Sequence, residues 1–224
     1  MSSSRFVFAL TALSVACSDP TPAAPTDASV PSDAADARVG DGGITSVPES
    51  ESWIIPGMQR EAHVLRTAGN VPHIYAANPE DLARVTGFVV ARDRYFMLDL
   101  ARRLAQGKLS ALLGDAALET DLQSRQTGMT YVTEQLDMQL SETEGRRFDA
   151  FAQGINAYIE QVRGGLLAPP SEYAIAVTFL GRRRPIELME PFNRRDIVAM
   201  GATFLYQSGY ETDDVGRGRA AAAL

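Results

Sequence analysis

Cysteine, histidine and lysine are nearly missing from these 224 residues, and each scarcity closes a route. A single cysteine, Cys17, rules out an internal disulfide. The two histidines, His63 and His73, come with no cysteine pair and no HExxH spacing, so nothing points to zinc. Lys108 is the sole lysine, which removes most Schiff-base and Ser-Lys mechanisms. There is no GxSxG elbow, and Ser208 in "QSGY" lacks its surroundings. Carboxylates abound, yet no spacing singles out a glycosidase pair. The net charge is −7, and no basic face carries interleaved aromatics. Affinity for nucleic acid through counterion release is therefore excluded as a general property. No organic cofactor is indicated, since the only glycine-rich stretch, "GDGG", opens no helix.

What is present falls into three parts: 1–17, 18–52 and 53–224. The first has the form of a signal peptide. Arg5 supplies a positive start, and "FVFALTALSVA" is an apolar run too short to span a bilayer as a mature helix. Ala16 before Cys17 resembles a bacterial lipobox, although Ser14 stands where leucine is usual and Leu13 comes one position early. Cys17 is thus a candidate lipidation site. The alternative is an ordinary exported protein with an incidental cysteine. A periplasmic or outer-membrane lipoprotein is the expected location, with a lipid anchor to the membrane. The second part is Pro, Ala, Ser, Asp and Gly with almost no large apolar side chains. Such a stretch buries too little to offset its ordering entropy and reads as an acidic tether.

The third part is expected to fold as α+β, rich in helix. "EAHVLRTAG" and "VPHIYA" read as short strands around a turn at Gly69-Asn70, with Pro72 pressing Val71 toward extended geometry. Asn78, Pro79, Glu80 and Asp81 form a strong helix start. Leu82, Val85, Val89, Phe96, Leu100 and Leu104 predict an apolar stripe on the long helix that follows. Asp93 lies near that stripe, between Arg92 and Arg94, and pairing with an arginine is expected. Ser141 and Glu144 predict a capping box for a helix whose core stripe is Phe148, Phe151, Ile155, Tyr158 and Ile159. "AIAVTFLG" reads as a strand or buried extended segment. Asn193 predicts the start of a last helix running to about Gln207. His73 stands at a strand-to-helix junction, where it reads as a hydrogen-bonded structural residue rather than a catalyst. On that reading His73→Ala would impair folding or maturation.

Several of these segments together resemble the α-chain of the penicillin acylases, which are N-terminal-nucleophile hydrolases. The matching residues are Val71-Pro72-His73-Ile74, Asp81-Leu82, Gly87-Phe88, Ala91, Asp93-Arg94, Met97, Arg102-Arg103, Gly107, Leu109 and Leu112-Leu113-Gly114. Asp121 and Arg125, "FAQGINAYI", "LLAPPSEY" and "EPFNRRDIVAMGATFLYQSG" continue the likeness over about 55–215. There are departures. Thr67 follows Arg66 where the family carries aspartate, Gly69-Asn70 replaces a single glycine, and 182–189 reads as an insertion or local drift.

The resemblance implies an α-chain contribution to an αββα architecture that a β-chain of the same precursor completes. It implies hydrolysis of the side-chain amide of acylated amines, such as β-lactam antibiotics, through an acyl-enzyme on the β-chain's N-terminal serine. No catalytic residue would then lie in this chain, and Leu224 would fall near the hand-over to the spacer. An N-acyl-homoserine lactone acylase of the same family is the alternative substrate class. A tethered binding lipoprotein without catalysis, or a truncated gene, is the alternative outside it. By the same resemblance Thr203, Phe204, Tyr206 and Gln207 would line the acyl pocket, against an alternative in which Phe204 and Tyr206 are ordinary core aromatics. Asp214, with Glu211 as alternate, would give one ligand to a calcium ion bridging the two chains, against an alternative in which 211–214 is a solvated helix end.

Overall fold

The computed structural model describes residues 47–67, 69–174, 177, 184–209 and 219. The parts 1–17 and 18–46, with Cys17, lie outside these, as do Glu211 and Asp214.

The two expected strands form an antiparallel hairpin. β1 (His63–Arg66) pairs with β2 (Pro72–Tyr75), with Val64 opposite Ile74 and Leu65 opposite His73. Asn70 takes a left-handed φ of 58° in the connection, a conformation asparagine tolerates better than most residues. Val64 and Ile74 pack toward the core. His73 alternates to the other side of the strand and is exposed.

Asn78 caps helix α1 (Pro79–Gln106), its Oδ1 accepting from the Asp81 backbone N–H at 2.8 Å. Asp81 is fully buried and works in both directions. Its carboxylate also accepts from the backbone N–H groups of Gln59 at 2.9 Å and Arg60 at 3.0 Å, which straps the incoming chain to the helix. The helix ends at Gly107, whose φ of 59° lets its N–H turn back to the last carbonyls.

The buried face of α1 differs from the expected stripe. Leu82 is exposed, and Phe96, Leu100 and Leu104 are only partly covered. Val85 and Val89 are buried as expected, and Asp81, Phe88, Tyr95, Asp99, Arg102 and Arg103 are buried beside them. These recur at three- and four-residue spacing, but several are charged. The charges are tolerated there because each is paired or hydrogen-bonded.

Inside α1, Arg94 departs from helical geometry (φ −147°, ψ 30°) and kinks the helix. No proline or glycine occupies the position. Asp93 is tied outward to Arg66 of β1 at 2.8 Å, while Tyr95 is drawn into the core, and the axis changes between these anchors. The arginine partner of Asp93 therefore comes from the hairpin, not from its neighbours. Arg92 instead pairs with Glu51 at 2.7 Å and covers the Trp53 ring.

Beyond Gly107 come α2 (Ser110–Leu113), a 3-10 turn at Gly114–Ala117, α3 (Leu118–Gln126) and α4 (Met129–Gln139). Asp121 of α3 is buried and accepts from the backbone N–H groups of Leu109 at 2.6 Å and Ser110 at 2.8 Å. Arg125 donates to the Gly107 carbonyl at 3.0 Å. This pair thus holds the bend between α1 and α2.

Helix α5 (Glu142–Arg163) opens with the expected capping box, Ser141 and Glu144 bonding reciprocally. Its hydrogen bonds hold the Glu144 carboxyl below its ordinary value of 4.5. Ile155, Tyr158 and Ile159 are buried. Full burial of each such side chain contributes on the order of 1.5–3 kcal/mol. The axis of α5 crosses α1 at backbone distance. A Cβ on Gly154 would stand 1.9 Å from the Arg84 carbonyl oxygen, and one on Gly87 2.1 Å from that of Phe151. Only glycine fits at either place.

Two further elements complete the described part: α6 (Pro185–Leu188) and α7 (Arg194–Gly209). Of "AIAVTFLG", Ala174 and Val177 are described and are helical, which corrects the extended reading; the remainder lies outside the described residues. Phe88 and Tyr95 of α1, Tyr158 of α5, Tyr173 and Phe192 form one aromatic core, with ring centroids 5.7–6.4 Å apart.

Candidate functional site

The second half of α1 carries a group of charges with no counterpart in the sequence-based reading. Asp99 is fully buried. Its carboxylate accepts from Arg102, from Arg103 Nε at 2.8 Å and from the Tyr173 hydroxyl at 2.6 Å. Burial pulls the Arg103 guanidinium down, but the charge and hydrogen bond of Asp99 more than reverse this and hold it above its ordinary value. Burial, then the Asp99 charge, drives the Tyr95 and Tyr173 hydroxyls well above 10.0, so both stay protonated donors.

These donors face segment 188–192, the last residue of α6 and the irregular chain that follows it. Arg103 Nη2 donates to the Leu188 carbonyl at 2.8 Å, and Arg163 of α5 to that of Met189 at 2.8 Å. Tyr95 and Arg102 both reach the Glu190 carbonyl at 3.2 Å, and Arg102 reaches that of Pro191 at 2.9 Å. Asn156 holds Phe192 twice, donating to its carbonyl at 2.8 Å and accepting its N–H at 2.7 Å. The Arg102 guanidinium lies 4.1 Å above the Phe192 ring. Five successive carbonyls are therefore all held by side chains.

The segment delivers the chain into α7. Asn193 caps it as expected, accepting from Arg195 N at 2.9 Å while its own N–H donates to Asp196 at 2.8 Å. Asp137 of α4 accepts from Arg194 Nε at 2.7 Å and Arg195 Nε at 2.9 Å, tying α4 to α7. The two arginines outweigh burial and hold the Asp137 carboxyl below its ordinary value.

The far end of α7 is the opposite. Phe204 is 69% exposed, Leu205 68% and Tyr206 42%, and Gln207 is exposed. Phe204 and Tyr206 are thus surface aromatics, and the core alternative does not hold. Thr203 is half-buried, and its hydroxyl is buried without a hydrogen-bond partner, unlike Thr86 and Thr133, which bond the carbonyl four residues back. Apolar side chains of this size standing together on a surface mark a contact or binding face.

Among the described residues no hydroxyl is hydrogen-bonded to a histidine, and Ser208 bonds the Phe204 and Leu205 carbonyls of its own helix. No described group of three or more His, Cys, Asp or Glu is arranged to hold a metal ion. A cavity of about 380 Å³ lies between α1, α4 and α7, away from Thr203–Gln207. Its polar lining is largely self-paired, with Arg102 on Asp99, Arg195 on Asp137 and Gln106 on Asp196. His73 is exposed and, among the described residues, forms no side-chain hydrogen bond, so the hydrogen-bonded structural reading is corrected. Pro72 starts β2, Asp93 ties the hairpin to α1, and Arg94 is the kink.

The described residues thus form a helix-rich α+β unit with one clamped helix and an exposed apolar helix end. The penicillin amidase family model matches residues 61–224, and the chain belongs to that family. It is 36% identical over 112 residues to penicillin acylase 2 proenzyme of Pseudomonas sp. (strain SE83), covering 50% of this chain and 14% of that protein. It is 32% identical over 124 residues to acyl-homoserine lactone acylase QuiP of Pseudomonas syringae pv. syringae (strain B728a), covering 55% and 15%. The chain thus matches only about one-seventh of the length of these curated relatives. Among solved structures it resembles a thermostable penicillin G acylase from Alcaligenes faecalis, with TM-score 0.57 and 31% identity over 70% of this chain and 80% of that one.

Proposed function

We propose that this chain is the α-chain portion of a penicillin-acylase-like amidohydrolase. The observation that carries the proposal is the end of α7, where Phe204, Leu205 and Tyr206 stand exposed on a helix whose start is fully held. That face suits the apolar acyl group of a substrate and the surface of a partner chain. The catalytic serine belongs to a β-chain of the same precursor, folded with this chain into an αββα layer arrangement. Its hydroxyl oxygen attacks the amide carbonyl while its own α-amino group takes the proton and passes it to the leaving amine. Water then hydrolyses the ester, releases the acid and restores the serine. The role of this chain is to shape the acyl site with Thr203, Phe204, Tyr206 and Gln207.

β-Lactam antibiotics carrying an acyl side chain are the first substrate class. N-acyl-homoserine lactones are the second, favoured by the relatives at 32% identity that are named acyl-homoserine lactone acylases. Export by the segment 1–17, with lipid attachment at Cys17, places the enzyme in the periplasm or on the outer membrane. A bridging calcium would take six to eight oxygens, and the described residues do not fit one alone. Asp214 and Glu211 lie outside them, and no step is routed through the ion.

The test is to produce residues 1–224 with and without a serine-initiated β-chain and to assay penicillin G beside a long-chain lactone. Hydrolysis is expected only with both chains. Hydrolysis by residues 1–224 alone would place the nucleophile here and overturn the proposal. Inactivity with every partner would favour a non-catalytic tethered lipoprotein.

A further inference from the structure

We infer that Arg102, Arg103, Arg163 and Asn156 form a positioning unit that fixes where the exposed end of α7 stands and thereby selects which acyl groups fit against it. The inference rests on the acyl-binding role proposed above for that end.

An irregular segment ordinarily satisfies its carbonyls with water or with its own backbone. In segment 188–192 side chains take that part. Its five carbonyls are taken in order by Arg103, Arg163, Arg102 with Tyr95, Arg102 again, and Asn156. The donors come from two helices, α1 and α5, that are themselves locked by the Gly87 and Gly154 crossing. Asp99 sits behind the two arginines of α1 and fixes their orientation. These bonds are directional, so they fix the path of the backbone and not merely its proximity. The next residue, Asn193, is the cap of α7, which leaves no free joint between clamp and helix.

The geometry amplifies small errors. Phe204 lies about 16.5 Å along the helix axis from the cap, so a tilt of about 5° at the cap moves it by about 1.4 Å. Displacements of about 1 Å in a substrate-positioning element can change rates by as much as about 100-fold. The residues that would meet the acyl group need not change at all. A change in the clamp would show as altered discrimination among acyl groups, because the wall against which they are measured has moved.

The mildest variant is Arg163→Met. Arg163 releases one carbonyl, that of Met189, and leaves the buried Asp99 group intact. Arg102→Lys is the stronger variant, and Arg163→Lys, which keeps one donor, is the rescue. Two measurements are made on each. The first is amide hydrogen exchange over 203–209 in the full chain. It is expected to quicken in Arg163→Met while the capped start of α5 is unchanged, and to return toward wild type in Arg163→Lys. The second uses the mature two-chain enzyme and the ratio of kcat/KM between phenylacetyl and octanoyl amides of one amine. That ratio is expected to shift by about tenfold in Arg163→Met, the scale of a change of a methylene or so in an apolar pocket. An equal fall for both acyl groups would show a merely structural role and overturn the inference, as would unchanged exchange over 203–209. A wild-type enzyme inactive on every acyl amide would overturn the acyl-binding role itself. The exchange measurement would still decide whether the clamp holds α7.

Discussion

The two halves of α1 are fastened to the rest of the chain by opposite devices. Before the kink at Arg94, α1 meets α5 backbone to backbone, through Gly87 and Gly154, with side chains removed at the point of contact. After the kink, α1 meets segment 188–192 through the long buried side chains of Arg102 and Arg103, which Asp99 holds from behind. Close packing resists any added atom. A buried ionic group resists any lost one. The first device suits a permanent joint between two rigid helices. The second suits the exact placement of an irregular segment, because directional donors fix individual carbonyls where packing alone would only hold a surface close.

That contrast can be broken most forcefully from the ionic side. Asp99→Ala leaves Arg102 and Arg103 buried without their carboxylate. Stripping one partner from such a group costs about 3–5 kcal/mol. Urea unfolding should show a loss in that range, with hydrogen exchange in 188–192 rising most. A loss below 1 kcal/mol would mean that the two arginines find water, and the contrast would collapse.

The packing side should yield somewhat less. Gly154→Ala puts a methyl group 1.9 Å from the Arg84 carbonyl oxygen, a position backbone must vacate. Overpacking costs about 1–3 kcal/mol, and a backbone obstacle puts this case at the upper end. A calorimetric unfolding temperature is the measurement. The exchange pattern separates the two variants, since Gly154→Ala should loosen 84–88 and spare 188–192.

Asp81 tests the joint between the strap at Gln59 and Arg60 and the start of α1. Burial opposes its ionisation, but hydrogen bonds from Gln59, Asn78 and Arg60, with the Arg84 charge, outweigh it and hold the carboxyl below 3.8. A carboxyl depressed in the folded state contributes stability that is full above 3.8 and lost as pH falls through the folded value. The difference in urea midpoint between the wild type and Asp81→Asn should therefore be flat from pH 7 to 5 and shrink below pH 4. A difference that grows on acidification would show that the carboxyl is raised instead.

How much of this was legible in the sequence follows from the same contrast. Caps were legible, because Asn78, Ser141 and Asn193 act on N–H groups three residues or fewer away. The hairpin was legible from Pro72 and the turn. The buried face of α1 was legible only in part. Apolar periodicity found Val85 and Val89, but it also selected Leu82, Phe96, Leu100 and Leu104, while the fold buried Asp81, Tyr95, Asp99 and Arg103 one position aside. No local pattern reveals that Asp99 will find Tyr173 74 positions later, or that Arg102 will find Pro191 89 positions later. The one available signal was the DLARR run itself, a carboxylate three and four residues before two arginines, which is the spacing of a helical ion-pair group. At the candidate site, the resemblance proposed Thr203, Phe204, Tyr206 and Gln207, but the exposure of Phe204 and Tyr206 had to come from the three-dimensional structure.

The smallest effect is expected at His73. A catalytic or hydrogen-bonded His73 would make β2 the chemical centre of the chain. The strand instead alternates, with Pro72 and Ile74 turned partly inward and His73 and Tyr75 outward. An exposed side chain without a partner among the described residues contributes little, so His73→Ala should change the stability of this chain by no more than about 0.5 kcal/mol. Ile74→Ala, one residue on, removes packing against the core opposite Val64 and should cost several times more. Both are read from urea midpoints of the full chain. Were His73→Ala to destabilise as much as Ile74→Ala, the strand would be paired on its outward face as well. The fastening of α1 would then involve a third device, carried by the hairpin.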